Sequence, residues 1–217
     1  MTALRIVAVN AGLSEPSSTR LLVDRMVAAV TEGLGAGRAD VEIVDLRDLA
    51  ADLGQAMTVG FASGRARAAL DAVEGADALI VATPVFNASY SGLFKMFVDS
   101  LDTDALTGTP VLIAATAGTA RHALVLDHAM RPLFSYLRAV VVPTAVFAAT
   151  SDFGSAEEGL SERIHRAADQ LAALVVAEPT GVEGFAPAAG DNRRTRRSGT
   201  DLGEVTPFTQ LLRNHAG

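Results

Sequence analysis

The stretch Val81-Ala82-Thr83-Pro84-Val85-Phe86-Asn87-Ala88-Ser89-Tyr90-Ser91-Gly92 decides the fold. It opens as the end of Ala78-Leu79-Ile80-Val81, an unbroken apolar run. Such a run is expected in a parallel sheet covered on both faces. Proline has no N–H to give a ladder, so the strand is expected to stop at Pro84. A short loop then offers Phe86, Asn87, Ser89, Tyr90, Ser91 and Gly92 before Leu93-Phe94-Lys95-Met96-Phe97-Val98 takes up helical spacing. The segment is therefore a carboxyl-terminal strand edge followed by an aromatic ring, amides and hydroxyls. Ligands of open α/β sheets bind at such edges. The plain alternative is a strand–helix connection that happens to be polar.

Outward from this stretch the chain alternates strand and helix. Leu4-Arg5-Ile6-Val7-Ala8-Val9 reads as the first strand, 10–18 as a turn-rich loop, and 19–30 as a helix with Leu22, Met26, Val27 and Val30 on one face. Val41-Glu42-Ile43-Val44-Asp45-Leu46 alternates as a second strand nearer an edge. Gly54, Gly60 and Gly64 interrupt 50–63, and a helix is expected over 65–73. The third strand is 78–83, with a helix over 92–101. Pro110-Val111-Leu112-Ile113-Ala114-Ala115 is the fourth strand, and the turn Thr116-Ala117-Gly118-Thr119 leads into a helix to 137. Val140 to Phe147 reads as a fifth strand holding Pro143, which implies an edge or a break. Residues 157–176 read as a last amphipathic helix. Five strands alternating with helices predict an α/β fold: a doubly wound five-stranded parallel sheet of order 2-1-3-4-5 with helices on both faces and right-handed crossovers. One domain over 1–177 is expected, followed by a Gly/Pro/Arg-rich tail over 178–217.

Composition narrows the function. Of 217 residues, 49% are hydrophobic and 20% charged, as in a soluble protein with a sizeable core. The net charge of -7 argues against nucleic acid and anionic membrane as partners. With no cysteine, disulfides, thiolate chemistry and Cys-based metal sites are excluded. The four histidines lack metal-ligand spacing. No stretch reads as a secretory leader or a membrane span, so a cytoplasmic location is expected. Residues 191–217 carry five Arg against three acids, which leaves -9 on the rest. The run Arg193-Arg194-Thr195-Arg196-Arg197, followed by Phe208, Leu211 and Leu212, reads either as a solvated tail or as an arm for a neighbouring subunit.

Three loops meet at one rim in a sheet of that order. The first, Asn10-Ala11-Gly12-Leu13-Ser14-Glu15-Pro16-Ser17-Ser18-Thr19, is crowded with hydroxyls before a helix, where free N–H groups and the helix dipole attract phosphate. It is neither GxGxxG nor a Walker loop. An ordinary Ser/Thr helix cap would look similar. The second loop runs from Pro84 to Gly92, and the third is Thr116-Ala117-Gly118-Thr119-Ala120-Arg121-His122. Phosphate at the first loop and a flat ring between the other two is the arrangement of an FMN site at the switch point between strands one and three. The candidate cofactor-binding residues are Gly12, Ser14, Ser17, Ser18, Thr19, Pro84, Val85, Phe86, Asn87, Ser91, Thr116, Ala117, Gly118 and Thr119.

The ordered set of Val81 to Gly92 with Lys95, Ala115-Thr116-Ala117-Gly118-Thr119, and Leu126-Asp127-His128-Ala129-Met130-Arg131-Pro132 resembles the flavodoxin-like NAD(P)H-dependent FMN reductases. It is most similar to those that supply reduced flavin to two-component monooxygenases such as the alkanesulfonate systems. The likeness covers roughly 4–150. It implies that Ser14, Ser17, Ser18 and Thr19 hold the FMN phosphate and that 84–87 and 116–119 border the isoalloxazine. It also implies hydride transfer from NADPH or NADH to FMN without a catalytic side chain, a homodimer or homotetramer, and a monooxygenase as partner. Ser18 departs from the family, where an Arg often stands. His128 is an accessory candidate by this resemblance, in a helix expected to hold a π-type turn; by itself it reads as an ordinary helix residue. Arg121 could meet a nucleotide phosphate, and Tyr90 could line the nicotinamide site or simply pack. The other functions on this scaffold are a quinone or azo reductase with tightly held FMN, and an electron carrier that does not oxidise nicotinamide.

Overall fold

The computed structural model describes residues 3–154 and 157–176. The tail over 178–217, with its Arg run and its apolar group, lies outside the described residues. A parallel sheet runs through β1 (Leu4–Asn10), β2 (Ala39–Asp45), β3 (Ala78–Phe86) and β5 (Pro110–Ala117), with β6 (Val140–Val141) and β7 (Val146–Ala149) both paired to β5. The order is β2-β1-β3-β5-β6. With β6 and β7 taken as one interrupted strand, this is the expected 2-1-3-4-5 path. Seven strands are present rather than five, because the fifth is split and a two-residue β4 (Ser89–Tyr90) is added.

Alternation within the strands sends side chains to two cores. Val7 and Val9 face one with Leu79, Val81 and Phe94, covered by α2 (Ala50–Val59), α3 (Gly64–Glu74), α4 (Gly92–Asp99) and α5 (Arg131–Tyr136). Ile6 and Ala8 face the other with Ala82 and Ala114, covered by α1 (Ser18–Leu34) and α6 (Glu157–Val176). β3 is buried from Ala78 through Thr83, as a strand covered on both faces must be.

Several expectations need correction. The third strand does not stop at Pro84; it continues to Phe86, and Pro84 stands opposite Thr116 of β5. β1 has already ended opposite Ala82, so β3 has an open edge there and the missing N–H breaks no ladder on that side. The glycine-broken segment holds a full helix, α2, with Gly60 at φ 90 as its left-handed cap. The region after the third loop is not one helix. It is a 3-10 turn (Ala120–His122), a π turn (Leu126–Met130) and then α5. The π turn falls where the resemblance placed it. Pro143 breaks the fifth strand as expected, and Arg131 secures the break by donating to the carbonyls of Val142 and Pro143 at 3.2 and 3.1 Å.

Candidate functional site

The first loop leaves β1 at Asn10, whose Oδ1 accepts from the Gly12 N–H at 3.0 Å. Gly12 is buried, and a Cβ there would overlap Ser17 Oγ and crowd Thr19 Cβ at 3.1 Å. Ser17 caps α1: its Oγ accepts from the Arg20 N–H at 3.2 Å, and its carbonyl from the Leu21 N–H at 3.1 Å. The N–H groups of Ser18 and Thr19 belong to the turn that helix geometry leaves without acceptors. Ser14 and Ser18 are exposed, and Ser17 is half-buried with its Oγ turned back to the Arg20 N–H and against Gly12. A pocket of ≈ 570 Å³ opens beside the loop, bounded by Ser14, Ser17, Arg20, Asp45 and Arg47. No Lys or Arg lies inside the loop itself; Arg20 is tied to Asp24 and Asp45, and Arg47 to Glu15.

The second loop is a hairpin. Val85 pairs with Tyr90 and Phe86 with Ser89, which leaves Asn87 (φ 49) and Ala88 (φ 65) as a two-residue turn. Two consecutive positive φ values define the type I′ turn. Its tip projects Phe86, 48% exposed, while Pro84 and Val85 are half-buried beneath. Ser91, counted among the cofactor contacts, is fully buried. Its Oγ accepts from the Phe94 N–H at 3.2 Å and caps α4, and its own N–H donates to Thr83 Oγ1 at 3.0 Å. Ser91 therefore shapes the loop from below. Tyr90 packs on Phe94 at 5.9 Å between ring centroids, and Phe94 on Phe134 at 6.3 Å. Lys95 is held by Asp99 at 2.5 Å.

The third loop leaves β5 through Thr116, which is 3% exposed, then Ala117, half-buried, and Gly118 and Thr119, both exposed. A Cβ on Gly118 meets no heavy atom within 4 Å, and its φ is not among the positive ones. Neither turn geometry nor crowding asks for glycine here; the feature it keeps is a bare backbone facing open space. Thr119 caps the following 3-10 turn. Arg121 is exposed and His122 half-buried beside it. His128 is exposed on the π turn, which packs against β4.

The structure thus brings the three loops to one rim at the β1/β3 switch point, where open α/β sheets bind ligands. Thr19 and Thr116, 97 positions apart, join two of them through a bond of 2.7 Å between their hydroxyl oxygens. Sequence patterning did not anticipate that bond, nor the Asn10–Asp45–Arg20 chain of polar contacts behind the first loop. Outward donors at a helix start, with a bare backbone turn opposite, fit a phosphate and a flat ring. Among the described residues, no cluster of three or more His, Asp or Glu could hold a metal ion, and no helix is long and apolar enough to cross a membrane.

Residues 4–154 match the family model described as NADPH-dependent FMN reductase. The chain is 43% identical over 173 residues to an FMN reductase (NADPH) of Pseudomonas aeruginosa, covering 78% of this chain and 91% of that one. It is 42% identical over 176 residues to the NADH-dependent FMN reductase SfnF of Pseudomonas fluorescens, covering 79% and 91%. A crystal structure of an oxidoreductase from Corynebacterium diphtheriae superposes with a TM-score of 0.78 at 54% identity, covering 82% of this chain and 100% of that one. The chain belongs to the NADPH-dependent FMN reductase family.

Proposed function

We propose that this chain reduces FMN with a nicotinamide nucleotide at the rim formed by 12–19, 84–91 and 116–119, and releases reduced flavin to a cytoplasmic flavin-dependent monooxygenase. The observation that carries the placement is the meeting of an outward-facing helix start with the open backbone of Gly118 at the sheet's switch point. Bound FMN supplies the chemistry, by accepting at its ring the hydride that the reduced nicotinamide gives up. The protein's part is to hold and to align. The N–H groups of Ser18 and Thr19 and the hydroxyls of Ser14, Ser17 and Ser18 donate to the phosphate, with the α1 dipole behind them. Phe86 and the Asn87 backbone border one edge of the ring, and 117–119 the other. This requires no general acid or nucleophile, and among the described residues no titratable side chain is buried at the rim.

Arg121 stands exposed beside Gly118 and suits the extra phosphate of NADPH. The relatives' names divide between NADPH and NADH, so the dinucleotide preference is part of the proposal. Exposed Phe86 and Leu124 support a second subunit as a cover for the ring. Steady-state oxidation of NADPH and NADH with FMN, FAD, riboflavin and a quinone, compared side by side, tests the reading. Saturation by FMN, together with flavin lost on desalting, supports release to a partner. Flavin retained through the column and a preference for quinone would instead indicate a quinone reductase with a resident FMN.

A further inference from the structure

We infer that the ≈ 570 Å³ pocket on the β2 side of the first loop is a subsite for an adenosine group with free ribose hydroxyls, delivered by FAD or by NADH. The inference rests on the flavin placement proposed above and extends it. The strand order sets β2 on one side of β1 and β3 on the other, so the loop after β1 divides two spaces. Residues 84–91 and 116–119, proposed to border the ring, lie toward β3 and β5. None of them lines the pocket, whose outer wall is Asp45 at the end of β2 with Arg47 and Asp48 of the 3-10 turn Leu46–Leu49. Ser14 and Ser17 of the loop line it too. A group esterified to a phosphate on this loop, and directed away from the ring, therefore enters the pocket. FMN ends at its phosphate and leaves that space unfilled.

The lining suits adenosine. The volume falls within the roughly 300–1,000 Å³ of small-molecule sites. Leu21, 43% exposed, and exposed Pro16 give an apolar wall for a flat base. Arg47 holds Glu15 through one nitrogen at 3.2 Å, which leaves the plane of its guanidinium open to stack on that base. Both oxygens of Asp45 are taken, by Asn10 and Arg20. Asp48 is exposed, and among the described residues no hydrogen bond or ion pair engages it. An ionised carboxylate only accepts, so its complement is a donor, and a ribose diol offers two. Around the pocket four carboxylates (Glu15, Asp24, Asp45, Asp48) outnumber two guanidiniums (Arg20, Arg47). That excess repels a 2′-phosphate, so NADPH is not the source. Arg121, which suits the extra phosphate of NADPH, lies beyond Gly118 on another loop.

The test compares the full chain with its Arg47→Ala and Asp48→Ala variants, two exposed positions outside the proposed flavin contacts, in three pairings of donor and acceptor. Reduced nicotinamide mononucleotide with FMN carries no adenosine. The same donor with FAD carries it on the acceptor, and NADH with FMN carries it on the donor. Each variant should raise the KM of one adenosine-bearing reactant roughly five- to ten-fold, equivalent to about one hydrogen bond, and leave the adenosine-free pairing within about two-fold of the parent. A rise for FAD assigns the adenosine to the flavin, and a rise for NADH assigns it to the donor. Free adenosine should compete with that same reactant, and adenosine 2′-phosphate several-fold less well; equal competition by the two overturns the requirement for free ribose hydroxyls. Unchanged KM values for both FAD and NADH overturn the inference, and so does a rise shared by all three pairings, since that marks a disturbed loop. A parent protein that passes no electrons from either donor to either flavin overturns the proposed function instead. Calorimetric titration with adenosine then decides the pocket by itself: binding by the parent that both variants lose supports it, and a parent that binds no adenosine overturns it.

Discussion

Arg20 donates from Nη1 to Asp45 Oδ2 at 2.6 Å, joining the third residue of α1 to the last residue of β2. Its Nε donates to Asp24 at 2.8 Å, and Asn10 donates to the other oxygen of Asp45 at 2.7 Å. Two carboxylates beside the helix start proposed to hold phosphate would repel it, and Arg20 offsets both. Arg20→Gln should therefore weaken FMN by roughly three- to ten-fold, as expected of partly exposed charge pairs, and riboflavin much less. The difference should shrink at high salt. Titrations of both flavins at two ionic strengths check this, and equal weakening would place Arg20 outside the phosphate's field. Its hydrogen bond to Asp24 leads the causes that raise the guanidinium pKa above its ordinary value. The contribution is then fully present below the ordinary range and is lost only as pH climbs through the raised value. The Arg20 effect should be flat from about pH 6 to 9.

Gly118 separates binding from stability. A Cβ there meets no heavy atom within 4 Å and its φ does not demand glycine. Gly118→Val should leave stability within about 0.5 kcal/mol, as for an exposed site, while raising the KM for FMN by an order of magnitude or so because the side chain occupies the ring's space. Thermal melts beside a flavin titration decide it. Lower stability with normal flavin affinity would make Gly118 a turn residue only.

Ser91 should behave in the opposite way. It is buried, caps α4 and answers Thr83. Ser91→Ala leaves the Phe94 N–H without its partner, for a loss of about 1–2 kcal/mol in unfolding free energy. The KM for FMN should stay close to the parent value. A large rise in KM at unchanged stability would return Ser91 to the set of direct contacts.

That contrast shows how far the sequence was legible. Apolar runs mark β1, β3 and β5, and helical spacing marks α1 and α6, because burial on two faces or on one leaves a period that can be read directly. Glycine and proline were less transparent. In the sequence Gly60 looks like a breaker although it caps α2, and Pro84 like a stop although β1 has already ended beside it. Punctuation residues act through their neighbours in space, which local spacing does not contain. The same holds within the site. Hydroxyl density located the loops, but it could not separate Ser18, which faces outward, from Thr19, whose hydroxyl turns inward to Thr116.

The hairpin tip carries the last prediction. Asn87 and Ala88 both have positive φ, at 49 and 65. Asparagine tolerates this region, whereas for alanine the clash of Cβ with the backbone costs about 1–2 kcal/mol, and the second position of a type I′ turn favours glycine. Glycine would relieve the clash but would also widen the unfolded ensemble, which offsets part of the gain. Ala88→Gly should therefore stabilise the protein by about 0.5–1 kcal/mol, or about 1–4 °C in Tm for a domain of this size. The strained residue sits directly after the Asn87 backbone and two positions from Phe86, the pair proposed to border the flavin. A stiff turn holds both in place before flavin arrives, and a relaxed one has to be ordered on binding. The same substitution should then raise Tm and lower kcat/KM for FMN by a factor of about two to five, a trade between stability and activity at a strained site. Melting curves and FMN saturation kinetics on the one variant check both halves. A variant with higher Tm and unchanged kinetics would confine the strain at Ala88 to the turn and remove it from flavin recognition.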